Sequence, residues 1–402
     1  MAPPVSPARG FVWLLIGLGT LGALGIDLYL PAAHGVAQDL GASPLQLQQV
    51  LSAYLIGMGV MNLWLGALAD RLGRRPVMLW TTALFVAASL GCAQSTHMTE
   101  LIAYRFVQGM AGGSGVVIAL AMVRDRYDAI EAARIIGQAS VCFVVAPAIA
   151  PWLGGWLYVW GGWRVVFLAL VVIGASLLLL AWRELPETLL PTQRQSLAWR
   201  NLVQGYGQIL GDRRFLLLIL ATNAPFNGFF LYVVASPEFL GRHLALQPTE
   251  FFGFFAALMA GVAVGSLLAG RWAGKIAPVR QVWLGFAVMA LMSALNLVLD
   301  SLVGARLWAA AGSLMGYTLG WALIFPIIML RLTDLDPTRR GLIAAMHGMS
   351  TAFFNAVVAG GVAPWVMPAS GSLALTTCLF LALGLLAWWA VLRFHGRAGR
   401  ID

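Results

Sequence analysis

"GALADRLGRRPV", residues 66–77, is a short, basic, glycine-punctuated stretch set between two runs of almost uncharged sequence. The runs on either side, 46–69 and 77–95, are each long enough to cross a bilayer, which takes about 20 mainly apolar residues per helix. Gly66 and Gly73 suit a tight turn between helices. Arg71, Arg74 and Arg75 crowd the loop, as expected of a connection on the cytoplasmic side, where Lys and Arg collect. Asp70 sits among them near a helix end, where it can pair across helices in one conformation and release in another.

Outward from this turn the pattern repeats. Apolar runs fall at roughly 11–33, 46–69, 77–95, 99–123, 132–158, 164–182, 214–236, 250–272, 280–299, 304–330, 340–362 and 372–393, twelve in all. Strands of a membrane barrel would alternate over about ten residues. These runs are longer and apolar all round, so they read as helices. Of the 402 residues, 60% are hydrophobic and only 10% charged, with a mean hydropathy of +0.84. A soluble chain would carry about a quarter charged residues. The longest polar stretch, "RELPETLLPTQRQSLAWRNLVQGYGQILGDRR" (183–214), falls at the middle. Its part "SLAWRNLVQGYGQIL" reads as a short helix lying at the membrane surface. "LAGRWAGK" (268–275) echoes "LADRLGRR" (68–75), with Gly270 where the first has its acid. The expected fold is therefore an all-α membrane protein of twelve transmembrane helices in two pseudo-symmetric six-helix bundles. The bundles span 1–182 and 214–402, joined by a cytoplasmic linker, 183–213, in the parallel-repeat arrangement of many transporters.

The net charge of +9 follows from topology rather than from a nucleic-acid partner. With the N-terminus inside, every Lys and Arg falls on the cytoplasmic side except Arg164, Arg242, Arg306 and the intramembrane Arg105, so both termini are expected in the cytoplasm. The first run is too long for a cleaved signal segment. Cys92, Cys142 and Cys378 lie in apolar runs at no metal-ligand spacing, and no metal or other cofactor is expected. The chain has no P-loop, which excludes ATP as the expected energy source. Nor does it have the paired carboxylates or nucleophile-and-base cluster that a membrane-embedded enzyme needs. The expected partners are a small-molecule substrate, protons and the lipid bilayer, for a protein acting as a monomer.

Two charges stand inside the apolar runs. Asp27 lies in "GIDLYLPAAHG" (25–35), about six residues before the end of the first run. Arg105 lies in "LIAYRFVQGMAGGSG" (101–115), about six residues after the start of the fourth. Antiparallel helices place them at one level, about 9 Å below the outer surface at 1.5 Å per residue. Burial disfavours an ionised carboxyl and a neighbouring guanidinium favours it, so such a pair can exchange a proton when a substrate or conformational change tips the balance. Arg105, Gln108, Gly109 and Gly112 share one helical face, polar and small. In "APAIAPWLGGWL" (146–157), Pro147 and Pro151 bend the fifth helix, and Gly154 and Gly155 let a neighbour approach closely. Tyr29, Tyr54, Asn62, Gln108 and Gln138, with Asn223, Asn227, Tyr232, Tyr317, Trp321 and Asn355 in the second half, are candidate substrate contacts. Rings and carboxamides on an apolar wall suit amphipathic aromatic compounds. His347 reads as a packing histidine.

The 66–77 stretch resembles the signature of the major facilitator superfamily, G-x-L-a-D-r-x-G-r-k, at Gly66, Leu68, Asp70, Arg71, Gly73, Arg74 and Arg75. Arg105, Gln108 and Gly109 resemble its R-x-x-Q-G pattern. Pro151, Gly154 and Gly155 are similar to its antiporter signature G-P-x-x-G-G, with Ala150 in place of the first glycine. Asp27, Tyr29, Leu30 and Pro31 resemble the D-M-Y-L-P of drug:proton antiporters of the bicyclomycin and chloramphenicol resistance type, with Leu28 replacing methionine, and Ser236 and Pro237 point to the same group. The resemblance implies multidrug efflux across a bacterial inner membrane by alternating-access antiport. It also implies proton coupling at Asp27 and Arg105, gating by the 66–75 motif, and neutral or singly charged substrates of the chloramphenicol kind. The alternative is a proton-coupled importer or exporter of a small metabolite.

Overall fold

The computed structural model describes residues 9–194 and 199–395. The termini, expected in the cytoplasm, and residues 195–198 of the linker lie outside the described residues. Eleven described helices are long and apolar enough to cross a membrane. One of them, Ala129–Glu184, has 56 residues and two non-helical glycines inside it, Gly161 and Gly162, the latter at φ +76°. Split there, it supplies two crossings, and the number of spans becomes twelve.

The first six are α1 (Arg9–Asp27), α2 (Pro44–Leu72), α3 (Arg74–Gln94), α4 (Met98–Arg126), α5 (129–160) and α6 (163–184). The second six are α7 (Arg213–Val234), α8 (Phe252–Trp272), α9 (Pro278–Val303), α10 (Leu307–Thr333), α11 (Arg340–Val357) and α12 (Ser370–His395). Local chemistry sets several boundaries. Ser43 and Gln46 form a reciprocal capping box at the start of α2, with Pro44 in the first turn, where its missing N–H costs nothing. Asp128 and Asp212 cap α5 and α7 by accepting backbone N–H groups. Gly73, at φ +106° and ψ 155°, makes the whole α2–α3 connection alone.

The chain forms two compact units, Met1–Ala198 and Trp199–Asp402. The boundary falls inside the segment expected to be a linker, and the helix Trp199–Leu210 in that segment belongs to the second unit. Each unit repeats the same pairings: α2 packs on α4 and α3 on α4, as α8 packs on α10 and α9 on α10. The α2–α4 and α8–α10 crossings are glycine contacts. A Cβ on Gly57 would stand 2.1 Å from the Phe106 carbonyl oxygen, and one on Gly261 would stand 2.1 Å from that of Met315. Without favourable water exclusion to drive association in lipid, such close backbone approach is what holds helices together.

Candidate functional site

The first run was expected to continue as helix to residue 33, but α1 ends at Asp27. The chain then passes through a single 3-10 turn, Leu30–Ala32, into a short helix, Ala33–Leu40. Pro31 accounts for the break, having no N–H to give to a preceding carbonyl. The span as a whole runs Gly10–Leu40, so Asp27 stands at an interruption within it rather than two turns from a helix end. Its side chain is buried at 6% exposure.

Arg105 is wholly buried. One of its terminal nitrogens, Nη1, donates at 2.7 Å to the Gly25 carbonyl and at 2.7 Å to Oε1 of Gln108, and the Gln108 amide donates on to Ser89 Oγ at 2.7 Å. The guanidinium carbon lies 4.4 Å from the ring centre of Tyr54, 5.0 Å from Tyr29 and 5.8 Å from Phe167. Three rings and a carbonyl thus replace the water that a guanidinium would otherwise need. Tyr54 is fixed in turn by its hydroxyl, which donates to the Gly22 carbonyl at 2.9 Å.

The expected pairing of Asp27 with Arg105 is not formed. Among the described residues no ion pair or hydrogen bond joins them, and Arg105 grips the backbone two residues before the acid instead. Its Nε and Nη2, and the Tyr29 hydroxyl, are buried without a partner among the described residues. Donors sufficient to receive a carboxylate are therefore present but unused. The glycine of the antiporter-like stretch is placed against the same break: a Cβ on Gly154 would stand 2.3 Å from the Leu28 carbonyl oxygen. Pro151 and Gly155 are buried beside it, and Pro147 is half-buried.

At the 66–77 turn, Asp70 near the end of α2 pairs with Arg74, the first residue of α3, at 2.6 Å, and Arg74 carries the contact on to Asp125 at the end of α4 at 3.2 Å. Glu187 accepts from the backbone N–H groups of Arg74 at 3.0 Å and Arg75 at 3.3 Å, closing the open end of α3, and Arg75 donates to the Trp182 carbonyl at 2.7 Å. Arg71 is exposed. A Cβ on Gly66 meets open space, whereas one on Gly73 would stand 2.3 Å from Glu187. Asp125 and Glu187 were missed from sequence. An acid between two arginines in "RDR" (124–126) was the signal for the first; nothing local marks the second.

The remaining candidates divide. Tyr232 and Tyr317 are buried and serve packing: the Tyr232 hydroxyl accepts from Asn296 at 2.8 Å, and the Tyr317 hydroxyl donates to the Pro225 carbonyl at 2.9 Å. Gln138 is exposed, and Asn62 is half-buried with its Oδ1 unpartnered among the described residues. Asn223, Asn227 and Asn355 come together. Asn227 donates to Asn355 Oδ1 at 3.0 Å, and Asn223 Oδ1 accepts from Thr351 at 2.9 Å. Trp321 stands in an aromatic row with Phe226 and Phe325, its ring centre 5.2 Å and 4.9 Å from theirs.

Two repeated six-helix units, with an acid and a guanidinium buried inside separate spans, define a multi-pass membrane transporter. The chain belongs to the Major Facilitator Superfamily, whose pattern matches residues 15–363. It is 34% identical over 276 residues to an uncharacterised MFS-type transporter of Bacillus subtilis, covering 68% of this chain and 69% of that one. It is 33% identical over 271 residues to a chloramphenicol resistance protein of Pseudomonas aeruginosa, covering 66% and 62%. Multidrug resistance protein D of Escherichia coli is 26% identical over 375 residues, covering 93% and 94%. Among solved structures, a D-xylose-proton symporter superposes with a TM-score of 0.76 over 95% of this chain and 98% of its own at 15% identity, a likeness of fold.

Proposed function

We propose that the protein exports small amphipathic drugs, neutral or singly charged, from the bacterial cytoplasm in exchange for protons. The observation that carries this reading is Asp27, buried at the interruption of α1 two residues from the carbonyl that holds Arg105. In the proton-loaded state the acid needs no counter-charge. Once deprotonated it requires donors, and Arg105 and Tyr29 have them to spare. A swing of the guanidinium from Gly25 to Asp27 would join proton release to movement of α1 against α4. Protonation from the outside and drug binding from the inside then exclude each other, so inward proton flow drives the drug out. The resistance proteins among the relatives support a drug as cargo. The 66–75 turn, with its Asp70–Arg74–Asp125 chain, is the gate in this scheme.

Asp27→Asn tests it, because the amide keeps the volume and cannot carry the proton. In proteoliposomes, wild-type protein should move chloramphenicol against its gradient when a pH difference is imposed. The variant should bind the drug yet ignore the pH difference. Gradient-driven transport that survives in Asp27→Asn would exclude Asp27 from coupling.

A further inference from the structure

Three helices of the second unit close a ring of contacts that packing alone does not account for. On α7, Asn223 is tied to Thr351 of α11 at 2.9 Å, and Thr351 also donates to the carbonyl of His347, one turn away. His347 lies 6.1 Å, centre to centre, from Phe325 of α10. Phe325 leads through Trp321 to Phe226, which sits between Asn223 and Asn227 on α7 and completes the circuit. The amides at its base are buried, while Phe226, Trp321, Phe325 and His347 are each half-buried.

Six buried side-chain polar atoms of the second unit have no partner among the described residues, and four lie on this one circuit. They are Asn223 Nδ2, Asn227 Oδ1, Trp321 Nε1 and His347 Nε2. Unpartnered buried groups are rare and costly in folded proteins, so their concentration beside an aromatic row marks a place shaped for something other than protein. Two of the four can only donate, one can only accept, and the imidazole nitrogen can do either. None of the three helices carries an acid, and their basic residues, Arg213, Arg214, Arg331 and Arg340, all lie six or more positions from the nearest of these groups. An organic cation would find rings here but no counter-charge.

We propose that α7, α10 and α11 form a ligand subsite in which Trp321 and His347 hydrogen-bond an uncharged aromatic compound bearing acceptor oxygens, its ring lying along Phe226 and Phe325. His347, read from sequence as a packing residue, becomes a specificity residue. The assignment rests on the export reading only in taking a drug-like compound as the ligand.

Equilibrium binding to the purified full chain in nanodiscs tests it with two probes: chloramphenicol, uncharged and acceptor-rich, and tetraphenylphosphonium, aromatic and cationic. Trp321→Phe and His347→Phe keep a ring at each position and remove one hydrogen-bonding nitrogen. Each should weaken chloramphenicol binding by about 5- to 10-fold, the worth of one hydrogen bond, and leave tetraphenylphosphonium within about twofold. His347→Gln, which retains a hydrogen-bonding end, should recover most of the loss. The subsite is overturned if the wild-type chain does not bind chloramphenicol, if both Phe variants bind it as wild type does, or if both probes weaken alike. Energy-dependent export in cells reads the transport function separately. Binding as expected without export would remove that function and leave the subsite standing, and export with silent variants would do the reverse.

Discussion

Arg105→Lys keeps the positive charge and discards the shape that the first unit has built around it. A guanidinium lies flat against three rings and spans two acceptors, whereas an ammonium is a compact, strongly hydrated point charge. The lysine variant loses at least one charge-assisted hydrogen bond in a water-poor site, worth about 1.5–3 kcal/mol, so transport of the proposed cargo should fall by about 10- to 100-fold. Proteoliposome uptake checks this, with size-exclusion profiles to show that the chain still folds. Transport at wild-type rates in Arg105→Lys would mean that charge alone matters. The same residue shows how far a sequence can be read. That Arg105 must face protein followed from an arginine in an apolar run whose face continues with Gln108, Gly109 and Gly112. That its cage would be Tyr54, Tyr29 and Phe167 did not follow, because those rings come from α2, from the turn after α1 and from α6, and their convergence is tertiary. That Asp27 would be buried inside the first span was legible. The break at its side was not, because Pro31 lies in a run that hydropathy reads as continuous.

At the scale of elements, the α2–α3 turn separates two glycines that look equivalent in the motif. Gly73 has a backbone conformation that only glycine adopts easily, and its missing Cβ makes room for Glu187. Gly73→Ala should therefore destabilise the protein by about 1–3 kcal/mol. Gly66→Ala meets open space inside a helix, where alanine is favoured by about 0.5–1 kcal/mol, so stability should hold or rise. Melting curves of the two variants in one detergent decide the matter, and equal losses would contradict the geometry. The loop before α11 offers a pH-dependent counterpart. Asp336 accepts hydrogen bonds from the Thr338 hydroxyl and amide, and these, with Arg339 nearby, hold its carboxyl below the usual carboxylate range. A depressed acid contributes stability above its unfolded-state value and loses it as the pH falls through the folded-state one. Protection factors for the amides of 334–340, which remove the intrinsic pH dependence of exchange, should thus hold at neutral pH and fall only when the pH drops below the ordinary range for aspartate. Exchange that is already fast at neutral pH would show that these bonds do not order the loop.

For the whole molecule, sidedness depends on a count. The repeat was visible in the sequence because "LADRLGRR" and "LAGRWAGK" sit 200 positions apart, and the structure gives each unit the same helix pairings. The crossing number is less secure to the eye, since Ala129–Glu184 continues as helix on both sides of its interruption and the chain can be counted as eleven spans. Parity turns that difference into an experiment. Eleven spans would put the two ends of the chain on opposite sides of the membrane, and twelve put them on the same side. Gly162, at φ +76°, breaks the rod where the chain would have to reverse, and Trp163 and Arg164 just beyond it bind Asp39 at 2.8 Å and 3.0 Å. Asp39 follows α1 in the chain, so these contacts put the interruption at the end of the unit where α1 finishes, not at the end where it starts. Reporter fusions at residue 1 and residue 402 should both register the cytoplasm, in keeping with the arginine-rich loops, and a cysteine introduced at Gly162 should react with a membrane-impermeant reagent added from outside. Termini on opposite sides, or a residue 162 that is labelled only after the cells are opened, would make Ala129–Glu184 a single crossing and remove the two-times-six architecture on which the paired units depend.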